Sequence, residues 1–165
     1  MHKIKIGFSR STKKFAIFGW AIQLFQRTSY SHVYIRDYSK WLDMEGVYQA
    51  SGSLVNYMHI DNFLDHSEIV REFELEVSSE ARKAIIQRCH YLCGRPYGMK
   101  QIMAILLAKI GIRSKHLRDG ENAYICSELV VDALDKANII NKLEWGKSVD
   151  LVTPKDIYEK LNNNK

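Results

Sequence analysis

The chain has 165 residues, of which 46% are hydrophobic and 26% are charged. This composition is that of a globular protein and excludes a disordered or fibrous chain, and the length predicts one domain over residues 1–165. The net charge of +5 favours acidic partners such as cell-wall polymer, anionic lipid or nucleic acid, although no nucleic-acid-binding motif is present and no specific nucleic acid partner is expected.

Alternating apolar residues predict strands through most of the first half of the chain. One helix interrupts them, because apolar residues recur at helical spacing from Phe15 to Phe25. Gly52 lies between two predicted strands and indicates a hairpin turn. The predicted strands are 3–9, 32–36, 46–50, 54–59 and 69–77, with a polar turn at 37–40.

Helices dominate the second half. Ser78 or Ser79 is the predicted cap of a helix that continues to about Cys93 and stops at Gly94. Further helices are predicted over 99–110 and 125–137, and a last short helix has Pro154 in its first turn. Strands followed by helices predict an α+β fold, in which helices pack on a small antiparallel sheet.

The helix over 99–110 is apolar nearly all round, so we expect it to be buried. Its most apolar window, Ile102 to Ile112, spans about 11 residues, whereas a membrane span needs ~20. The basic N-terminus is not followed by the apolar stretch of a signal peptide. We therefore expect a cytoplasmic protein, with a virus particle or delivery to the cell envelope as the alternatives.

Three cysteines are an odd number, which argues against a full disulfide framework. Cys89 and Cys93 lie four residues apart on a predicted helix. A zinc-binding pair is one interpretation, but no second ligand pair of suitable spacing follows. We predict that both are unpaired core thiols, and we expect no metal and no cofactor.

Cys126, the third cysteine, lies at the predicted start of a helix. The unpaired N–H groups and the dipole at such a position stabilise a thiolate and can bind an oxyanion. A buried, inert cysteine is the alternative interpretation. A thiolate nucleophile needs a base, and His32 is the candidate among six histidines, because it opens an apolar strand directly after Ser29-Tyr30-Ser31.

Several segments together resemble the circularly permuted papain-like enzymes of the NlpC type, which include YiiX-like proteins and relatives of lecithin retinol acyltransferase. In these enzymes the histidine precedes the cysteine, the reverse of papain. The resemblance implies a circularly permuted papain-like fold with Cys126 as nucleophile and His32 as base. The similar segments cover nearly the whole chain in the family's order: Ile6-Gly7-Phe8-Ser9, Thr28-Ser29-Tyr30-Ser31-His32-Val33, Val47-Tyr48-Gln49-Ala50, Tyr124-Ile125-Cys126-Ser127-Glu128-Leu129-Val130 and Leu151-Val152-Thr153-Pro154-Lys155-Asp156-Ile157.

The resemblance places Gln49 at the third catalytic position, where the family often has glutamate. The amide oxygen of a glutamine can orient an imidazole, but it cannot stabilise an imidazolium by charge. Asp43 and Glu45 are nearby acidic alternatives. Glu128 lies two residues after Cys126, a spacing that points it away from the cysteine on a helix, and we assign it a structural or capping role.

The resemblance implies acyl transfer by a cysteine hydrolase, in which Cys126 attacks an amide or ester and His32 protonates the leaving group. An amidase or peptidase acting on bacterial cell-wall peptides is the first expectation. A lipid acyl hydrolase or acyltransferase is the alternative, since the apolar helices could contact a lipid tail. A catalytically decayed binding module of the same fold is the other class, and Gln49 favours it. A peptide substrate predicts a polar groove, and a lipid predicts an apolar pocket.

Overall fold

The computed structural model describes residues 1–13, 17–98, 100–103, 107, 111 and 123–163. One antiparallel sheet has the strand order β4-β3-β2-β1-β5, which confirms the predicted α+β class. The strands are β1 (His2–Ser11), β2 (His32–Ser39), β3 (Met44–Ser51), β4 (Leu54–His59) and β5 (Ser67–Val77). The α-helices with both ends described are α1 (Ile17–Gln26), α2 (Ile60–Leu64), α3 (Ser79–Leu92), α4 (Cys126–Lys136) and α5 (Pro154–Asn163).

The two faces of the sheet pack against different helices, because side chains alternate along each strand. On one face, Ile6 and Val33 belong to the main core, which also contains Leu129 of α4 and buried residues of α3 and α5. On the other face, Tyr34 packs against Phe63 of α2. The sheet therefore separates α3, α4 and α5 from α2.

Capping residues fix the predicted helix starts. The Ser78 hydroxyl accepts a hydrogen bond from the Ala81 backbone N–H at 3.1 Å, at the start of α3. At the start of α5, Thr153 and Asp156 each accept a hydrogen bond from the other's backbone N–H, which is the reciprocal arrangement of a capping box. Gly94 follows α3 with a φ of 87°, a conformation that costs glycine little.

The segment 37–40 differs from the polar turn predicted there. β2 continues to Ser39, and Asp37 is buried in a two-point ion pair with Arg82 of α3, with 2.9 Å between Nε and Oδ1. A charged residue that marks a turn in the sequence is here held inside the sheet by a partner 45 positions away. The five-residue α2 was not predicted either; the ring nitrogen Nδ1 of His59 accepts from the Asp61 N–H at its start.

Two predicted helices are described in part. α1 begins at Ile17, and Phe15 lies outside the described residues. In the helix predicted over 99–110, residues 100–103 and 107 are helical and both Gln101 and Ile102 are buried, while its other positions lie outside the described residues. Within the part of the chain that is described, no helix is long and apolar enough to span a membrane.

The cysteines of α3 are free thiols. Cys89 is buried and Cys93 is half-buried, and neither forms a disulfide. Cys89 is the core thiol that the sequence predicts, whereas Cys93 is only partly covered.

Candidate active site

Cys126 is the first residue of α4 and is 4% exposed. Its Sγ lies where the backbone N–H groups of Val33, Ser127 and Cys126 itself can donate to it. These donors lower the pKa of the thiol, but burial outweighs them and raises the pKa to about 11. The sequence pattern predicts that the helix start lowers the pKa of the thiol and so stabilises a thiolate. The opposite shift is found here, because the helix start is buried beneath the strand β2 instead of facing water.

Two contacts hold the start of α4 in place. The buried hydroxyl of Ser127 donates to the carbonyl oxygen of Val152 at 2.5 Å. The Glu128 carboxylate accepts from Nε2 of Gln101 at 3.5 Å, and the backbone N–H of Ile125 also favours its charged form. Burial raises the pKa of Glu128 to about 7. Glu128 thus serves the helix start, as its spacing from Cys126 predicts.

His32 is the first residue of β2 and is half-buried. Its Nε2 lies 2.8 Å from Oε1 of Gln49. Since a carbonyl oxygen only accepts, this bond requires the proton on Nε2 and leaves the lone pair on Nδ1. Nδ1 has no hydrogen-bond partner among the described residues. Burial lowers the pKa of His32 to about 4, and the bond to Gln49 opposes this shift only in part.

Gln49 is the only one of the three candidate orienting residues that reaches His32 within the described part of the chain. It is buried on β3, and its Nε2 donates to Sδ of Met58 at 3.3 Å, which fixes which end of the amide faces the imidazole. Asp43 accepts from the Tyr38 hydroxyl and Glu45 pairs with Arg36. Both acidic alternatives are therefore engaged elsewhere.

Cys126 and His32 flank the start of β2 from two sides. The backbone N–H of Val33, the residue after His32, is one of the groups that lower the pKa of Cys126. The side chain of Val33 faces α4, and that of His32 alternates with it. Ser31, the residue before His32, lines pockets on both sides. No hydrogen bond joins Sγ to the His32 ring in the described residues. The thiol and the imidazole therefore lie on opposite faces of the sheet at the start of β2, each with its own pocket.

Both pockets expose mostly apolar surface, but they differ in the side chains that line them. The pocket at Cys126 is small and mainly apolar, with a lining that includes Ile22, Ile102 and Pro154. The pocket at His32 has a volume of about 310 Å³ and is lined by five serines, two histidines, an asparagine and a lysine among others.

Sequence reasoning missed most of the residues around His32. Ser9 is directly opposite His32 in the β1–β2 pairing, so its place on the same face follows from strand alternation once the register is known. Asn62 and His66 lie on and just after α2, the short helix without an apolar period long enough to predict it.

The comparisons with known proteins identify a fold. No family model matches the chain, and no curated protein matches it. The crystal structure of the metalloprotein YiiX from Escherichia coli O157:H7, DUF1105, is similar with a TM-score of 0.62 and 19% sequence identity, over 96% of this chain and 91% of that chain. The chain has a YiiX-like α+β fold.

The YiiX structure is described as that of a metalloprotein, so the YiiX-like fold raises the question of a metal site. Within the described residues, no group of three or more histidine, cysteine, aspartate or glutamate side chains is placed to hold a metal ion. The described residues of this YiiX-like chain therefore do not fit a resident metal, and no chemical step is assigned to one.

Proposed function

We propose that this protein is a cysteine hydrolase of the circularly permuted papain-like type, with peptide amides such as those of bacterial cell walls as substrates. The observation that carries the proposal is the set of backbone N–H groups that favour the thiolate of Cys126. One of them belongs to Val33, the residue after His32, and Gln49 sets the tautomer of His32. Such donors stabilise negative charge that develops at a helix start during acyl transfer.

The reaction starts from a neutral pair, since burial raises the pKa of Cys126 and lowers that of His32. The start of β2 separates Sγ from the His32 ring, so the proposed reaction requires substrate binding to bring Sγ within reach of Nδ1. The thiol proton then moves to Nδ1 of His32 as Sγ bonds to the carbonyl carbon. His32 gives this proton to the leaving nitrogen as the C–N bond breaks, which leaves a thioester on Cys126. Water then attacks the thioester carbon, its proton passes through His32 to the departing thiolate, and the carboxylic acid is released.

The hydroxyl and amide groups in the pocket at His32 support a peptide as the substrate. Its lining offers hydroxyl and amide groups from Ser9, Ser51 and Asn62, which suit the many polar groups of a peptide or peptidoglycan fragment. Because His32 protonates the leaving group, the pocket lies on the leaving-group side of the scissile bond.

The test is a search for the acyl-enzyme across a panel of acylated peptide amides and lipid esters. Wild-type protein should gain the mass of the acyl group, and neutral hydroxylamine should remove it as expected for a thioester. Cys126→Ala should give no adduct and should lower turnover by on the order of 10³-fold or more, since the nucleophile and base act as a unit. Cys93→Ala is the matched control and should keep both adduct and turnover, because Cys93 follows the last residue of α3 and lines neither pocket.

Circular dichroism of each variant establishes that it is folded. Full turnover by a folded Cys126→Ala protein would end the cysteine-nucleophile proposal. If the wild type turns over nothing in the panel, the decayed binding module becomes the better explanation.

A second candidate, hydrolysis of lipid esters, is favoured by α1. This helix contains no charged residue, and Ile17, Trp20 and Leu24 are 70%, 64% and 59% exposed along one face. Its inner face contributes Ile22 to the apolar pocket at Cys126. An apolar surface next to an apolar pocket is the arrangement that a lipid tail would need.

Vesicles separate the two candidates. A lipid hydrolase should sediment with anionic phospholipid vesicles and lose that binding in Trp20→Ser. Trp41→Ser is the control, because Trp41 is 91% exposed but lies in the turn between β2 and β3. Equal sedimentation of both variants and the wild type would remove the support for a lipid substrate.

A further inference from the structure

The described lining of the pocket beside His32 contains a cationic side chain but no anionic one. Lys13 and His66 line it together with Asn62 and several serines, and no carboxylate belongs to its lining within the described residues. The pocket therefore offers hydrogen-bond donors and no carboxylate that would repel an anion, and this favours an anion over a cation as the ligand.

Ser9 gives an independent indication of a ligand. Its side chain is 1% exposed and lines the pocket, and its hydroxyl oxygen has no hydrogen-bond partner among the described residues. Most buried polar groups are hydrogen-bonded, and leaving one unpaired costs about 1–3 kcal/mol. Ser9 also lies at a register shift between β1 and β5, and such bulges often re-aim a side chain next to a functional site.

Lys13 provides the charge. It pairs with no carboxylate in the described residues, whereas Arg10, three residues earlier on β1, forms a two-point ion pair with Glu68 at 2.9 and 2.8 Å. The Lys13 ammonium is thus available at the pocket, while the nearby guanidinium is neutralised. A donor set of one ammonium, one buried hydroxyl and the amide of Asn62 suits the oxygens of a carboxylate or a phosphate.

We propose that this pocket binds an anionic group, a carboxylate or a phosphate, through Lys13, Ser9 and Asn62. The further assignment, that the anion belongs to the leaving part of the substrate, rests on the proposed function, because it uses His32 as the group that protonates the leaving nitrogen. Anion binding itself does not depend on catalysis.

The experiment uses the full-length Cys126→Ala protein and measures binding of acetate, inorganic phosphate and acetamide at constant ionic strength. The readout is the shift of the His32 and His66 imidazole signals in NMR spectra. Acetate or phosphate should bind at least tenfold more tightly than acetamide, which has the shape of acetate without its charge. Lys13→Gln should weaken anion binding by about tenfold, or 1.4 kcal/mol. Lys83→Gln, an identical change at an exposed lysine of α3, should leave it unchanged.

Ser9→Ala gives a second readout. Removal of an unpaired buried hydroxyl should leave the melting temperature unchanged or raise it, while anion binding should weaken. Tighter binding of acetate assigns a carboxylate, and tighter binding of phosphate assigns a phosphoryl group. Acetamide binding as tightly as acetate, or equal anion affinity in wild-type, Lys13→Gln and Ser9→Ala proteins, would overturn the proposal. Failure of the proposed function would appear instead as absent acyl-enzyme in the wild type, with these affinities unaffected.

Discussion

At the scale of single residues, burial decides the protonation of the candidate catalytic pair. The same loss of hydration raises the pKa of Cys126 to about 11 and lowers that of His32 to about 4, because in each case the charged form is penalised. Between these values both groups are uncharged. An imidazole in this state can accept a proton, so the pair suits general-base activation during the reaction and not a preformed ion pair.

The pH dependence of thiol alkylation follows from this argument. The reaction of Cys126 with iodoacetamide should be slow at pH 7 and should rise with pH through about 11, since only the thiolate reacts. Peptide mass spectrometry distinguishes Cys126 from Cys93, which serves as an internal reference in the same sample. A rate that reaches its plateau below pH 8 would show that the thiol is already ionised and that the neutral-pair argument is wrong.

Gln49 raises the basicity of His32 through one hydrogen bond, against the larger effect of burial. Gln49→Glu places a carboxylate at Nε2 and should raise the pKa of His32 from about 4, as a nearby opposite charge favours the imidazolium. Turnover should rise with it, whereas Gln49→Ala should lower turnover by about tenfold without abolishing it, because the lost role is orientation. NMR titration of the imidazole and steady-state kinetics measure the two effects. An unchanged His32 pKa in Gln49→Glu would show that the bond does not set its basicity.

At the scale of elements, sequence patterns predicted the strands and helix starts that depend on neighbouring residues. Alternation predicted the strands, and Ser78 and Pro154 marked helix starts that the structure confirms, because capping depends on neighbours within a few residues. The prediction of a turn at Asp37 was wrong, because this feature depends on a residue that is distant in sequence. Whether a charged residue ends a strand or stays in it depends on a partner such as Arg82, and that partner is set by the tertiary fold.

The Asp37–Arg82 pair should therefore be a main link between α3 and β2. Arg82→Ala leaves the Asp37 carboxylate, 7% exposed, without its partner, and this should lower the free energy of unfolding by about 3 kcal/mol. Arg10→Ala breaks an exposed ion pair and should cost less than about 1 kcal/mol. Urea denaturation followed by circular dichroism measures both. Equal losses in the two variants would contradict the assignment of Asp37–Arg82 as a structural link.

At the scale of the whole molecule, the sheet divides the candidate site. The motif order in the sequence predicts that His32 is on a strand and Cys126 on a helix start, and the structure places both at one end of β2. The sequence does not reveal on which face of the sheet each side chain lies, because that depends on the register of β1, β2 and β3 and on which helices cover them. For this reason the anion-binding candidates of α2 could not be predicted, although the candidate pair could.

If Cys126 and His32 act on one bond from the two sides of β2, their substitutions should not be independent. Proton transfer by a positioned base contributes on the order of 10²–10⁴-fold, so His32→Ala and Cys126→Ser should each lower turnover by at least about 100-fold. The double variant should be no slower than the slower single variant, since removing the base costs nothing more once the nucleophile is disabled. Pairing Cys126→Ser with Arg10→Ala provides the control, in which the two effects should multiply because the Arg10 ion pair is exposed and remote in sequence from α4. Rates of acyl release for the wild type, the three single variants and the two double variants complete the cycles. Multiplying losses for Cys126 and His32, as in the control pair, would mean that the sheet keeps them apart during the reaction and that each acts without the other.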